Sequence, residues 1–178
     1  MRGSFVRLLL VALAAGGAVA AVPASAAEGG MCKLDGSATF VKGPNTTDHP
    51  FTYTFTGDLT SCQSNVAGAP ASGKIATVEP AKGSGTCGSN STAGVALVTW
   101  ADGKTTVVKY STQSATAGVV LQGSVVPSYK VRKTTYKTTR FAGYSAAGPL
   151  AFEASPPECA GGGVTTAGIA GFVGLGTQ

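Results

Sequence analysis

Cys32-Lys33-Leu34-Asp35-Gly36-Ser37-Ala38-Thr39-Phe40 alternates with a period of two: Cys32, Leu34, Gly36, Ala38 and Phe40 fall on one face, Lys33, Asp35, Ser37 and Thr39 on the other. Successive side chains of an extended chain point to opposite sides, so this is a strand with one buried and one solvated face. Gly43-Pro44-Asn45 interrupts it. The pattern then returns, with Phe51, Tyr53, Phe55 and Leu59 set against Thr52, Thr54, Thr56 and Asp58. The two runs read as an antiparallel hairpin. With its turn near Thr46-Thr47, Cys32 comes opposite Cys62 to within about one residue, close enough to be bridged across a bulge. Perfect register is not expected, because the inward positions are even on the first strand and odd on the second.

Working outward, β-branched runs between Gly, Pro and Ser breaks predict further strands at Gly73 to Glu79, Gly94 to Ala101, Lys104 to Ser111 and Ala117 to Val126. Asp102-Gly103 sits between two of them and predicts a two-residue type I′ turn. Ser128 to Phe141, Leu150 to Glu153 and Val164 to Val173 follow, the last as a closing core strand within the glycine-rich segment Gly161 to Gln178. No amphipathic helical period appears after the first residues, so the fold class is all-β. About nine strands of uneven length and spacing favour an antiparallel β-sandwich, with a closed or partly closed β-barrel as the alternative.

Residues 1–26 have a different character. Arg2 and Arg7 lead into the apolar run Leu8 to Ala21, and Ala24-Ser25-Ala26 supplies an A-x-A cleavage pattern. This is the composition of a signal peptide, and the apolar run is shorter than the roughly 20 residues that span a bilayer. Residues 27–178 are then expected to form one secreted, extracellular or envelope-associated all-β domain with no membrane span. That domain carries 11 basic and 8 acidic residues, a net charge of +3 against +5 for the whole chain.

Its four cysteines, Cys32, Cys62, Cys87 and Cys159, read as two disulfides in an exported chain. Three pairings are open, and the hairpin favours Cys32–Cys62 with Cys87–Cys159. Metal binding and cofactors are not expected: there is no C-x-x-C, His49 is the sole histidine, and Ala81 to Ser91 lacks the order of a phosphate loop. That glycine-rich segment reads as a surface connection, and Asn45 and Asn90 begin N-x-[ST] patterns in loops.

Catalytic signatures are sparse. No G-x-S-x-G is present, and His49 sits in Asp48-His49-Pro50, the composition of a turn. The carboxylates Asp35, Asp58, Glu79, Asp102 and Glu153 are scattered. The feature that rises above background is Tyr129 to Arg140, which holds five of the domain's 11 basic residues. As one strand it would put Lys130, Arg132, Tyr136 and Arg140 on a single face, able to hold an anionic polymer by charge and stacking.

Cys32 to Ala38, Gly57-Asp58-Leu59-Thr60-Ser61-Cys62 and Thr99-Trp100-Ala101-Asp102-Gly103, together with the Ala-rich leader, resemble small secreted β-proteins of high-GC Gram-positive bacteria. The resemblance implies export, disulfides and a β fold, and assigns no functional residue. The expectation is a non-enzymatic binding module whose partner is an anionic cell-envelope polymer or an extracellular protein, with no nucleic acid involved. The alternatives are a hydrolase with dispersed catalytic groups and a protease inhibitor presenting Gly83 to Gly88 beside Cys87.

Overall fold

The register of the first hairpin organises the rest. In the computed structural model, which describes residues 27–115 and 118–177, β1 (Gly29–Val41) and β2 (His49–Ser64) pair with Leu34 opposite Leu59, Ala38 opposite Phe55 and Phe40 opposite Tyr53. An even inward set and an odd one thereby share a face. The ladder slips between Met31 and Lys33. There Ser61 takes a φ of 50°, two residues oppose one, and Cys62 is turned onto Cys32, to which it is bonded. The signal-peptide reading of residues 1–26 lies outside the described residues.

β3 (Gly73–Thr77) pairs with the second half of β2 and β4 (Ala81–Gly85) with the first half, and both pair on their other side with β5 (Ser89–Trp100). They are two halves of one stave, broken near Pro80, which has no N–H to give to a ladder. β6 (Thr105–Ala115) and β7 (Gly118–Val126) continue the meander. The chain then leaves the wall as a separate hairpin, β8 (Ser128–Val131) and β9 (Thr134–Lys137), and returns as β10 (Ser145–Glu153). After one helical turn, α1 (Pro156–Ala160), β11 (Thr166–Gly176) pairs with β10 on one side and with β1 on the other, from Gly29 opposite Gly176 to Thr39 opposite Thr166.

That last ladder corrects the sandwich expectation. Wall strands follow one another in chain order, and the final strand returns to the first, so the nine strands close as an eight-stave up-and-down barrel in which β3 and β4 share one stave. Part of the unevenness in strand length and spacing belongs to Ser128 to Phe141, which is not in the wall. It is an excursion. Gly148 shows how closely the closing strands approach, since a Cβ there would overlap the Phe172 carbonyl oxygen.

Three local expectations also change. Gly103 has a φ of 78° while Asp102 is not in the left-handed region. With Gly103 N–H donating to Trp100 O at 2.9 Å and Trp100 N–H to Lys104 O at 2.9 Å, the hairpin closes through a type I turn and glycine bulge, not a type I′ turn. Ala81–Gly85 and the residues from Ser89 on are wall, not surface connection, so only Thr86 to Gly88 of that segment form a turn. Finally, Ser128 to Phe141 reverses at Arg132, whose φ is 52°.

The β8–β9 hairpin lies against the outside of the barrel. Tyr129 OH donates to Glu79 Oε1 at 2.6 Å, and Val107 N–H donates to Thr138 Oγ1 at 3.0 Å. Val95 and Val107 point outward yet are 4% and 0% exposed, because this face is covered. Burying one such side chain contributes about 1.5–3 kcal/mol.

The Cys32–Cys62 bond closes a loop with a sequence separation of 30. Replacing both cysteines by alanine, with Cys87–Cys159 intact, should lower unfolding stability by about 3 kcal/mol through the freed unfolded chain. Urea titration of the double variant reads this as a lower midpoint, and an unchanged midpoint would refute it.

Candidate binding site

Eight strands enclose a space just wide enough to be filled by side chains or to hold one small ligand. Glycines in the wall decide between these outcomes. The Phe55 ring lies over Gly36 and Gly57, the Phe51 ring over Gly83 and the Tyr110 ring over Gly94, each where a Cβ would collide with it. The rings rest against neighbouring staves, and a cavity of about 110 Å³ remains. That is on the order of the roughly 150 Å³ apolar cavity known to admit benzene.

The cavity is two-sided. Val119, Leu121, Leu150, Phe152, Ile169 and Val173, from β7, β10 and β11, make an apolar wall. Facing it, successive inward rungs of the β5–β6 ladder are Asn90 opposite Ser114, Thr92 opposite Thr112, and Gly94 opposite Tyr110. Tyr53 reaches them from β2. Its hydroxyl lies 2.9 Å from Tyr110 OH and 3.0 Å from Thr92 Oγ1, which lies 2.7 Å from Thr112 Oγ1. Burial pushes the phenols of Tyr53 and Tyr110 above their ordinary pKa, so both remain protonated hydroxyls.

Side chains and a loop pack at both ends. At one, the Trp100 indole N–H donates to Thr106 Oγ1 at 2.8 Å, and that hydroxyl donates to Arg140 O at 2.8 Å. Phe141 packs edge-on against Trp100 at 5.3 Å, with Tyr144 beyond it at 5.4 Å. At the other end Pro44 is fully buried and lines the cavity. Its carbonyl accepts Val164 N–H at 3.0 Å, and Asn45 O accepts Cys87 N–H at 2.9 Å. Cys87–Cys159 joins the β4–β5 turn to α1 beside this plug.

His49, the first residue of β2, clamps the plug loop. Nδ1 lies 2.8 Å from Thr47 O, and Nε2 lies 3.2 Å from both Lys42 O and Gly43 O. Both nitrogens face acceptors, an arrangement that only the doubly protonated ring satisfies in full. The Thr47 carbonyl most of all raises the pKa above its ordinary value; desolvation opposes this, and the Lys42 and Gly43 carbonyls and the Asp48 charge add to it. The Asp48 carboxylate accepts from Ser84 Oγ at 3.4 Å.

The four residues expected to share a basic face are separated. In the β8–β9 register Tyr136 is opposite Tyr129, and Lys130 is opposite Thr135. Cross-strand partners share a face, so Tyr136 belongs to the half-buried side with Tyr129 and Val131, while Lys130 and Lys137 are on the exposed side. Arg132 is in the turn. Arg140 lies beyond the hairpin, 2.7 Å from Asp102 Oδ2 and over the Phe141 ring at 5.4 Å, so its charge is engaged at the barrel end. Among the other carboxylates, Asp35 and Asp58 face each other across the β1–β2 ladder on the solvent side, with Lys74 2.7 Å from Asp58. No group of three or more His, Cys, Asp or Glu that could hold a metal occurs among the described residues. Asn90 points into the lumen with Nδ2 donating to Thr86 O at 3.0 Å, and Asn45 Oδ1 accepts Thr47 N–H at 2.7 Å.

The His49 clamp has a defined pH dependence. Because its folded pKa is raised, its stabilisation is fully present below the unfolded value of about 6.5 and is lost as pH rises through the folded value. Between pH 5 and 8.5 the wild type should therefore lose melting temperature relative to His49→Gln. Parallel thermal-melt curves for the two proteins would refute the clamp.

Comparison with protein-family models, with curated proteins and with solved structures finds no match, so the roles of these residues rest on the geometry alone.

Proposed function

We propose that the protein is a non-enzymatic extracellular binding module that takes a small, largely apolar molecule into the barrel lumen. The observation that carries this reading is the cavity itself, left open because wall glycines let Phe51, Phe55 and Tyr110 lie against neighbouring staves. Two disulfides fit an oxidising compartment, and among the described residues no helix is long and apolar enough to cross a membrane. The outward faces of β1 and β2 carry Lys33, Asp35, Thr54 and Asp58 alongside the exposed Met31 and Val41.

A ligand of this kind stabilises the folded state in proportion to its occupancy, by about 2.7 kcal/mol at one hundred times its dissociation constant. Toluene should raise the melting temperature of the wild type with saturation. Ala96→Leu should weaken that effect at least tenfold, because Ala96 is buried and lines the lumen. Equal responses from both proteins would sink the lumen reading.

A second reading, retention on an anionic envelope polymer, is favoured by one observation. Lys130 and Lys137 share the exposed face of the β8–β9 hairpin, with Arg132 and Lys133 at its tip, and none of the four has an ion-pair partner among the described residues. Diagonal positions in a strand pair lie about 7–8 Å apart, close to a Debye length at physiological salt. Changing Lys130, Arg132 and Lys137 to glutamine should lower the salt concentration that elutes the protein from an anionic glycan column. Identical elution would leave the lysines as guards of an exposed edge.

A further inference from the structure

Resting on the lumen reading, we infer that the site selects a neutral, ring-sized molecule bearing one hydrogen-bond-accepting oxygen, a carbonyl or an ether, which the Tyr110–Tyr53–Thr92–Thr112 hydroxyl row recognises against otherwise apolar surroundings. A barrel needing only to fill its interior is served by valine wherever it has threonine, since the shapes match and no polar group has to be satisfied. Here polar side chains occupy inward positions on three consecutive rungs of one ladder and extend across to β2.

The hydrogen bonds of that wall separate a closed part from an open one. Ser114 Oγ accepts Asn90 N–H at 3.2 Å and donates to Asn90 O at 3.4 Å, while Asn90 Nδ2 is spent on Thr86 O. The Ser114 hydroxyl and the Asn90 backbone groups of that rung are thereby paired with each other. The row below it holds four hydroxyl protons but only three hydroxyl–hydroxyl contacts. Whichever way the protons point, one O–H has no acceptor within the row. Reversing the chain of donors moves that free O–H from one end of the row to the other, so the acceptor it meets need not occupy a single fixed point. Tyr53 is buried and Thr92, Tyr110 and Thr112 are partly buried, so a donor left unmatched here has limited access to water, and a ligand oxygen supplies its acceptor.

Charge is excluded by the same surroundings. Neither lysine nor arginine, nor any carboxylate, lines the cavity, so a charged ligand would be stripped of water with no counter-ion. The phenols stay neutral and serve as donors. The apolar wall from β7, β10 and β11 takes the remainder of the molecule, and the cavity volume limits that remainder to about one ring.

Cyclohexanone and methylenecyclohexane have nearly the same shape and differ in one acceptor oxygen. Their affinities are to be measured by calorimetric titration against the wild type, Tyr53→Phe/Tyr110→Phe, Thr92→Val/Thr112→Val, and the quadruple variant. The expected result is that the quadruple variant loses about fivefold in cyclohexanone affinity, the worth of one neutral hydrogen bond, with methylenecyclohexane unchanged or improved. The carbonyl stretch of bound cyclohexanone should also sit below its hydrocarbon-solvent frequency in the wild type and return towards it in the quadruple variant. If that variant does not fold, the two pair variants carry the test, and at least one must shift the ratio of the two affinities. A constant ratio in every folded variant, or a carbonyl stretch unchanged from hydrocarbon, overturns the selection while leaving the lumen as a site. Failure of both compounds to bind the wild type removes the lumen reading and this inference with it.

Discussion

Everything inside this protein depends on the backbone ladder that joins β11 to β1. Without it the wall has two open edges, each a row of unpaired N–H and C=O groups, and the inward faces of eight staves have no common interior. With it, each stave has a neighbour on both sides and the even-numbered residues of β1, β5 and β6 point to the same enclosed space as the odd-numbered residues of β2. Glycine makes the ladder possible. β11 is Thr-Ala-Gly-Ile-Ala-Gly-Phe-Val-Gly-Leu-Gly, and where β1 meets it a Cβ on Gly29 would come within 2.8 Å of the Leu175 carbonyl oxygen.

Closure also explains why the interior is not solid. In a sandwich, two faces approach until their side chains interdigitate. A closed eight-stave wall has a circumference set by its hydrogen bonds and cannot collapse to fill a gap, so vacant volume persists if side chains do not reach the axis. The glycines at 36, 57, 83 and 94 draw three aromatic rings onto the wall, converting large residues into lining. Trp100 and Phe141 at one end and Pro44 at the other do the opposite, filling the cross-section where the barrel would otherwise admit water.

Much of the wall was legible in the sequence because half-buried strands write their period directly. Cys32 to Phe40, Phe51 to Leu59 and the runs flanking Asp102-Gly103 all became staves, and the expected closing strand became β11. Global closure was not legible: it depends on which strand meets which, and alternation says only that a face is buried. The lumen wall was missed for a specific reason. Asn90, Thr92, Thr112 and Ser114 are polar, lie beyond the β-branched runs and begin beside a glycine-rich segment, so they read as connection. The parity of Val98 and Trp100, continued back along β5, puts Thr92 and Asn90 on the inward face. Sequence patterns treat a polar residue as outward, which fails wherever an interior satisfies hydroxyls with one another.

Arg140 shows the same failure for charge. Counting cations along Tyr129 to Arg140 treats them as one surface, whereas the fold assigns them to two tasks. The backbone carbonyl of Arg140 accepts the Thr106 hydroxyl, its guanidinium meets Asp102 from the β5–β6 turn, and its plane covers Phe141. Its side chain is 12% exposed, and Asp102 offsets only part of its desolvation, since Arg140 Nε is buried with no hydrogen-bond partner among the described residues. Asp102 is therefore more than a turn former: its Oδ1 accepts Lys104 N–H at 3.1 Å while Oδ2 holds Arg140. The lysines of the β8–β9 hairpin have no such obligations. A cation that stops the end of a barrel is defined by its partners, and one on the outer face of a hairpin by their absence among the described residues. Only the second kind is left available to a polymer arriving from solution.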